Sequence, residues 1–541
     1  MIYFIPAWYQ QEKWCENEQY WYSRRMKTEF DDTVKHIQLF HRSQVYPFKI
    51  MLLSYTPNLR HFLHRQSAFR APYWSCFDAI QETKRKKVSM FSLHNLNWPE
   101  HVEFLYTSFA LVAMLHGKKY AQVEFGEDGN LIQVDIYQDG VIHRKNIYDD
   151  RGFVSGTIVY ENGMPLYQDY LTDTGVWKIR HFLDDDHVEV NPKNPTYLLV
   201  NKDQEEIRTF ERVTYESMEQ VLFEVLQEYL KLTEKDDMFC LAVHDLHNDM
   251  LQKALKNKKK ILSFYGERYD IKGNMEQLLP MIKGADYIIT DSQDNRMRIQ
   301  RRVESSLKNI TDITPFDSRV DLGISQQLTV QKILVPVDDM ELDWFEQIIC
   351  VLGEYLPTNE NAQVHLFTRQ ADYGRKRYLL ELTRGILKKA GMTEEWAREE
   401  AAGAVRENFL DGEDYISVRF FVEQCVDELA VSKCVREQRL IVDMRKTSEV
   451  YLRIMGISMG IPQILYRDSQ FVEDGNNGLM VKNFAMLSGA IAYYLENLSN
   501  WNEAMVYAYE LSKKYTTTVL IDKWKEVIDF VGRNSDFTTG N

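Results

Sequence analysis

Five glycines between Ala121 and Val190 constrain this chain more than any other feature. Gly129, Gly140, Gly152, Gly163 and Gly175 fall 11, 12, 11 and 12 residues apart. Each lies in a turn containing Asp, Asn or Arg, and the turns separate alternating runs of β-branched and aromatic residues. Glycine adopts positive φ without a Cβ clash, which tight hairpin turns require. The spacing therefore predicts consecutive antiparallel hairpins, a β-meander. The period does not continue past this region, which argues against a propeller or solenoid.

The flanks have a different pattern. "IYFIPAW" and "PFKIMLLSY" read as strands, and the runs "MFCLAVHD", "KKILSFYG" and "GADYIITDS" alternate with helical segments. Short apolar runs of this kind suit buried parallel strands. A second α/β series begins near Gln331 with "KILVPVDD", "AQVHLFTR", "RLIVDM", "PQILYR" and "GLMV". With 541 residues, several domains are expected. Residues 1–117 and 201–325 form two parts of a first Rossmann-like unit, and 118–200 form an extended β-sheet insert. Residues 326–500 form a second Rossmann-like unit. Residues 501–541 form C-terminal helices that cross back to the first. A ligand cleft is expected between the units, at the carboxyl ends of the strands. Helices are expected from Val102 to Leu115 and from about Arg375 to Ala402.

Charge and cysteine usage narrow the function classes. The net charge of -15 disfavours nucleic acid as a partner, and the run Lys84 to Lys87 reads as a solvated loop or helix end. Cys15, Cys76, Cys240, Cys350, Cys425 and Cys434 form no Cys-x-x-Cys pair. A reduced, cytosolic protein without a zinc site fits that pattern. The start "MIYFIPAWYQ" lacks the basic region and cleavage site of a signal peptide. The stretch Phe104 to Gly117 is too short for a membrane span and reads as a buried helix.

Three stretches carry candidate chemistry. His244 lies just past a strand with His247 close behind, where a strand-end imidazole can bond a sugar hydroxyl or phosphate. A packed or solvated loop histidine is the plainer alternative, and metal ligation lacks further ligands. The loop after "KILVPV" offers Asp338, Asp339, Glu341 and Asp343, which would repel a diphosphate. The third stretch runs from Thr447 to Val481.

That third stretch resembles the signature of retaining GT-B glycosyltransferases, in which two glutamates stand eight residues apart before a Gly and a Pro. With Gly460 and Pro462 as anchors, the glutamate positions fall on Thr447 and Met455, so both carboxylates are lost. Glu449 is two residues out of register, about 200° away round a helix. Asn477 and Gly478 match the asparagine-glycine loop of such proteins. His-Asp-x-His at 244–247 is similar to a motif of glycogen-synthase-like enzymes. The strings "YFIPAWY", "WYS", "LRHFLHRQ" and "DDRGFVSG" extend the resemblance to the glycosyltransferase-like accessory secretory proteins of the accessory Sec system of Gram-positive bacteria.

The resemblance implies a GT-B-like pair of Rossmann-like units with an inserted meander, and a pseudo-glycosyltransferase without cofactor or metal. His244, His247, Glu449, Asn477 and Gly478 are the candidate cleft or glycan-binding residues. The implied partners are the acetyltransferase-like and carbohydrate-binding-like accessory secretory proteins, the accessory SecA motor and a glycosylated serine-rich repeat adhesin. The implied location is cytoplasmic, with any membrane contact peripheral, at the inner face of the cell membrane. An active retaining transferase and a pure scaffold with a vestigial cleft are the alternatives.

Overall fold

The computed structural model describes residues 1–16, 18–23, 30–89, 92–202, 204–271, 273–303, 309–399, 417–447 and 449–533. It divides into two compact units. The first comprises Met1–Ser23, Asp32–Ile289 and Val527–Asn541, and the second Arg24–Asp31 and Thr290–Glu526. The break after Ile289 comes earlier than 325, and the return to the first unit begins within the helix Thr517–Arg533.

In the first unit the strands Lys259–Phe264, Met238–Ala242, Ile2–Ile5, Phe48–Leu52 and Tyr73–Ser75 lie side by side in that order, all parallel. Every residue of Ile2–Ile5 and Met238–Ala242 is buried. That explains their unbroken apolar sequence, because a parallel sheet is covered on both faces. Tyr3 and Phe239 stack with ring centres 5.0 Å apart across this centre.

The meander is a ten-stranded antiparallel sheet that starts at Glu103 and ends with the strand Thr214–Tyr215. Its turns follow the glycine spacing. Asp139-Gly140 and Asn162-Gly163 both have two positive φ angles, the pattern of a two-residue hairpin turn. The helix expected over Val102–Leu115 is instead two strands, Glu103–Tyr106 and Leu111–Leu115. Thr107 makes the turn: its backbone N–H and hydroxyl both donate to the Ala110 carbonyl. Leu111 and Ala113 then point with Ala121, Val123 and Val134 into one apolar cluster, a period of two that the apolar run concealed.

Two of the strings that carried the resemblance meet at the root of this sheet. Arg60, on the helix Leu59–Arg65, bonds the Asp150 carboxylate through its side chain and through its backbone N–H at 2.8 Å. It also reaches Asp149 at 3.3 Å. Arg151 joins Asp149 to Asp78, each at 2.7 Å. Arg60, Asp149, Asp150 and Arg151 are all buried, so the sheet is tied to the first unit by charges that have no access to water.

The second unit has a six-stranded parallel sheet. The order is Phe420–Gln424, Ala362–Thr368, Gln331–Pro336, Gln438–Asp443, Gln463–Leu465 and Gly478–Met480. The order reverses between Gln331–Pro336 and Gln438–Asp443, the switch point outside which ligands of such sheets bind. The long charged helix ends at Lys389, because Gly391 has φ +72° and the Gly391 and Met392 N–H groups close back on Lys388 and Leu387. Residues 400–402 of the expected helix lie outside the described residues. Among the described residues no helix is long and apolar enough to cross a membrane.

Candidate functional site

The two histidines belong to the first unit and are held by local structure. His244 is the N-cap of the helix Asp245–Ala254, and its Nδ1 accepts from the Leu246 N–H at 3.1 Å. His247 is 0% exposed, with Nε2 2.7 Å from the Ala242 carbonyl and Nδ1 2.8 Å from the Tyr9 hydroxyl. A carbonyl only accepts, so Nε2 carries the proton and Nδ1 accepts from Tyr9. Burial, helped by neighbouring His244, pushes the His247 pKa down to about 3. His247 is thus a neutral, fully bonded core residue. His244 is half-buried, and burial, with Arg268 nearby, lowers its pKa as well.

The other candidates lie in the second unit, where the strand ends gather charge. Asp338 follows Gln331–Pro336 and is buried. It accepts from the Thr368 hydroxyl and the Arg369 N–H, each at 2.6 Å, and from Arg375 at 3.2 Å. Asp443 ends the next strand and is buried against two guanidiniums. Arg445 grips it through Nε and Nη2 at 2.9 Å, and Arg453 bonds it as well. Burial alone would raise the Asp443 pKa, but Arg445 and Arg453 outweigh it and hold the carboxyl below its ordinary range. Arg445 also reaches the Asp338 carbonyl at 3.5 Å, across the switch point.

Glu449 completes this set. It is the N-cap residue of the helix Val450–Ser458, in extended backbone conformation, so Thr447 and Glu449 both precede the helix. The rotation expected between them does not apply. The Glu449 carboxylate accepts from Arg369 at 2.9 Å and lies 3.9 Å from Arg445. Four guanidiniums therefore face three carboxylates, and each guanidinium has a protein partner. The four-carboxylate repulsion expected of the acidic loop is also reduced, since Asp338 is paired and Glu341 binds Lys446 at 2.6 Å. Only Asp339 and Asp343 remain exposed there without an ion pair among those described. Sequence spacing could not reveal this arrangement, because Asp338, Arg369, Asp443 and Glu449 come from four separate segments.

Thr447 lies in a bend and Met455 on the helix, both half-buried. Asn477 is 0% exposed: its Oδ1 accepts from the Glu473 N–H at 2.8 Å and its Nδ2 donates to the Phe471 carbonyl at 2.9 Å. Gly478 begins the strand that pairs with Gln463–Leu465, and a Cβ there would lie 2.2 Å from the Gln463 carbonyl oxygen. Asn477 thus braces the loop and Gly478 permits the close approach of its strand to Gln463. No group of three or more metal-ligating side chains occurs among the described residues.

Comparison with known proteins places this geometry in context. Residues 1–530 match the family of the first accessory Sec system protein, accessory secretory protein 1. A Streptococcus gordonii protein of that description is 32% identical over 539 residues, covering 98% of this chain and 100% of the relative. A chain in the crystal structure of accessory secretory protein 1, 2 and 3 from Streptococcus pneumoniae is 28% identical, with a TM-score of 0.78 and coverage of 98% and 99%. The pneumococcal O-GlcNAc transferase GtfA, solved with UDP and GlcNAc, superposes with a TM-score of 0.60 at 12% identity, covering 98% and 99%. That last likeness is one of fold, and the fold is that of the GT-B glycosyltransferases.

Proposed function

Because the chain belongs to this family of accessory Sec system proteins, we propose that it is a non-catalytic, glycosyltransferase-like component of accessory secretion. In this reading it assists export of a glycosylated serine-rich repeat adhesin by recognising glycans and partner proteins. The observation that carries it is the self-pairing at the strand ends of the second unit. Arg375, Arg445 and Arg453 pair with Asp338 and Asp443, and Arg369 pairs through Nη1 with Glu449. A sugar nucleotide needs cationic donors for its diphosphate, and a retaining transferase needs carboxylates where Thr447 and Met455 stand.

The pneumococcal relative comes from a structure of accessory secretory proteins 1, 2 and 3. We infer matching partners for this chain in the cytoplasm, with the accessory SecA motor and the adhesin as further contacts. A radiolabelled transfer assay with UDP-sugars and an adhesin fragment tests the first half. Turnover above a no-protein control would replace this reading with the active-transferase one. Co-expression with accessory secretory proteins 2 and 3 tests the second half, and separate elution in size-exclusion chromatography would sink it. The pure-scaffold reading draws support from His247 and Asn477, whose polar atoms are turned inward. Retention of glycosylated but not bare adhesin fragment on the immobilised chain would decide against the scaffold.

A further inference from the structure

Phe30 and Asp31 count with the second unit, although the described residues before and after them, up to Ser23 and from Asp32, count with the first. Phe30 is buried there, with its ring centre 3.7 Å from the Arg369 guanidinium carbon. The ring meets Tyr451 edge-on at 5.1 Å and lies 6.5 Å from Phe316, and Tyr451 and Phe316 are themselves 4.9 Å apart. Phe30 thus covers one face of a guanidinium that directly follows the strand Ala362–Thr368, and Tyr451 and Phe316 pack against Phe30 in turn.

Arg369 is 7% exposed, and only Nη1 is engaged, with Glu449. Its Nε and Nη2 have no hydrogen-bond partner among the described residues. A core phenylalanine ordinarily sits among aliphatic side chains. Here it covers a cation whose buried donors are left unsatisfied, which costs free energy. A guanidinium with a stacked ring on its face and donors at its edge is the arrangement that holds a planar ring carrying an anionic group.

We propose that Phe30 is a built-in occupant of this strand-end site, holding the place of the ring of a planar aromatic anion against Arg369. The inference rests on the non-catalytic reading and adds a second cause to it. The site is closed by the chain's own side chain, besides having lost Thr447 and Met455 as carboxylates. Removing the ring leaves a space bounded by Arg369, Tyr451 and Phe316 that an aryl anion of similar size fills.

The test uses the full chain and phenyl phosphate as probe, read by calorimetry and by thermal melting. Phe30→Ala and the milder Phe30→Leu, both checked for native circular dichroism, are expected to bind phenyl phosphate roughly tenfold or more tighter than wild type. Its melting temperature should rise in the variants and stay unchanged in wild type. Inorganic phosphate should not substitute, and Phe30→Leu with Arg369→Gln should lose the response. Absence of binding by both folded single variants overturns the proposal. So does equal binding by wild type, or an equal response to inorganic phosphate. UDP-sugar turnover by wild type would overturn the non-catalytic reading instead, so the two failures are distinct.

Discussion

The Glu449 carboxylate accepts a hydrogen bond from Arg369 at 2.9 Å, although neither residue is near the other in sequence. This pair links the end of the strand Ala362–Thr368 to the N-cap of the helix Val450–Ser458. Glu449 keeps 24% of its side chain exposed, so water screens the interaction. Glu449→Gln is expected to lower stability by roughly 1 kcal/mol in urea denaturation. A loss well above that would mean that water does not screen the Arg369–Glu449 pair and that the variant leaves the buried guanidinium uncompensated.

Asp443 holds two buried guanidiniums and is itself buried, so the pair cannot fall back on water. Removing one partner of such a set leaves an uncompensated charge, at a cost of about 3–5 kcal/mol. Asp443→Asn should therefore lower the unfolding free energy by that order in guanidinium melts. The pH dependence has a definite sign. The folded carboxyl titrates below its ordinary 3.8, so its contribution is fully present above that value and is lost as pH falls below it. The Asn variant should lack this acid-side slope, and an unchanged slope would contradict the assignment.

Local turns and long-range pairings differ in how far sequence exposes them. The meander was legible because each turn is a local device: Asp139-Gly140 and Asn162-Gly163 need positive φ whatever they pack against. The hairpin at Thr107 was not, because Leu111, Ala113 and their neighbours form an apolar run compatible with either period, and a single Thr side chain makes the turn. Asn477-Gly478 was visible as a pattern, but its bonding to Phe471 and its close approach to Gln463 depend on partners that spacing does not name. The strand-end ion pairs were hidden for a simple reason. Asp338, Arg369, Asp443 and Glu449 are brought together only by the parallel order of the sheet.

His247 supplies a second pH signature. Its pKa is about 3 in the fold and its ordinary value is 6.5. The unfolded chain therefore binds the extra proton between those values, and stability falls as pH drops through that window. The slope is about 1.4 kcal/mol per pH unit where the unfolded histidine is protonated and the folded one is not. Above pH 6.5 this contribution is complete and flat. His247→Gln should flatten the curve between about pH 6 and 4, while costing some stability at neutral pH through the Tyr9 and Ala242 contacts. A variant with wild-type slope in equilibrium unfolding would rule out His247 as its source.

At the root of the meander, Arg60 faces Asp149 and Asp150 without access to water. Arg60→Met keeps much of the side-chain volume but leaves two buried carboxylates with one remaining guanidinium, Arg151. An expected loss of about 3–5 kcal/mol follows. Hydrogen exchange should show the loosening first in Leu59–Arg65 and in the turn at Gly152. Exchange that speeds up uniformly across the first unit would show that the network does not act locally.

Restoring the missing carboxylates should not restore sugar transfer. Thr447 lies in a bend ahead of the helix and Met455 lies within it, so Thr447→Glu and Met455→Glu do not place two carboxylates on one helical face. A new Glu at 447 would also stand two residues from Glu449, already bound to Arg369. The diphosphate would still lack donors, since Arg375 is held by Asp338, Arg445 and Arg453 by Asp443, and Arg369 is covered by Phe30. Loss of one charged transition-state contact commonly costs about 3 kcal/mol, roughly a hundredfold in rate. Restoring carboxylates alone leaves several such contacts absent. The expected outcome is no label transfer from UDP-sugars to an adhesin fragment by wild type or by the double variant, measured against a no-protein control. Turnover by the double variant alone would show that the paired arginines release their carboxylates to a donor, and that Thr447 and Met455 were the whole of what catalysis had lost.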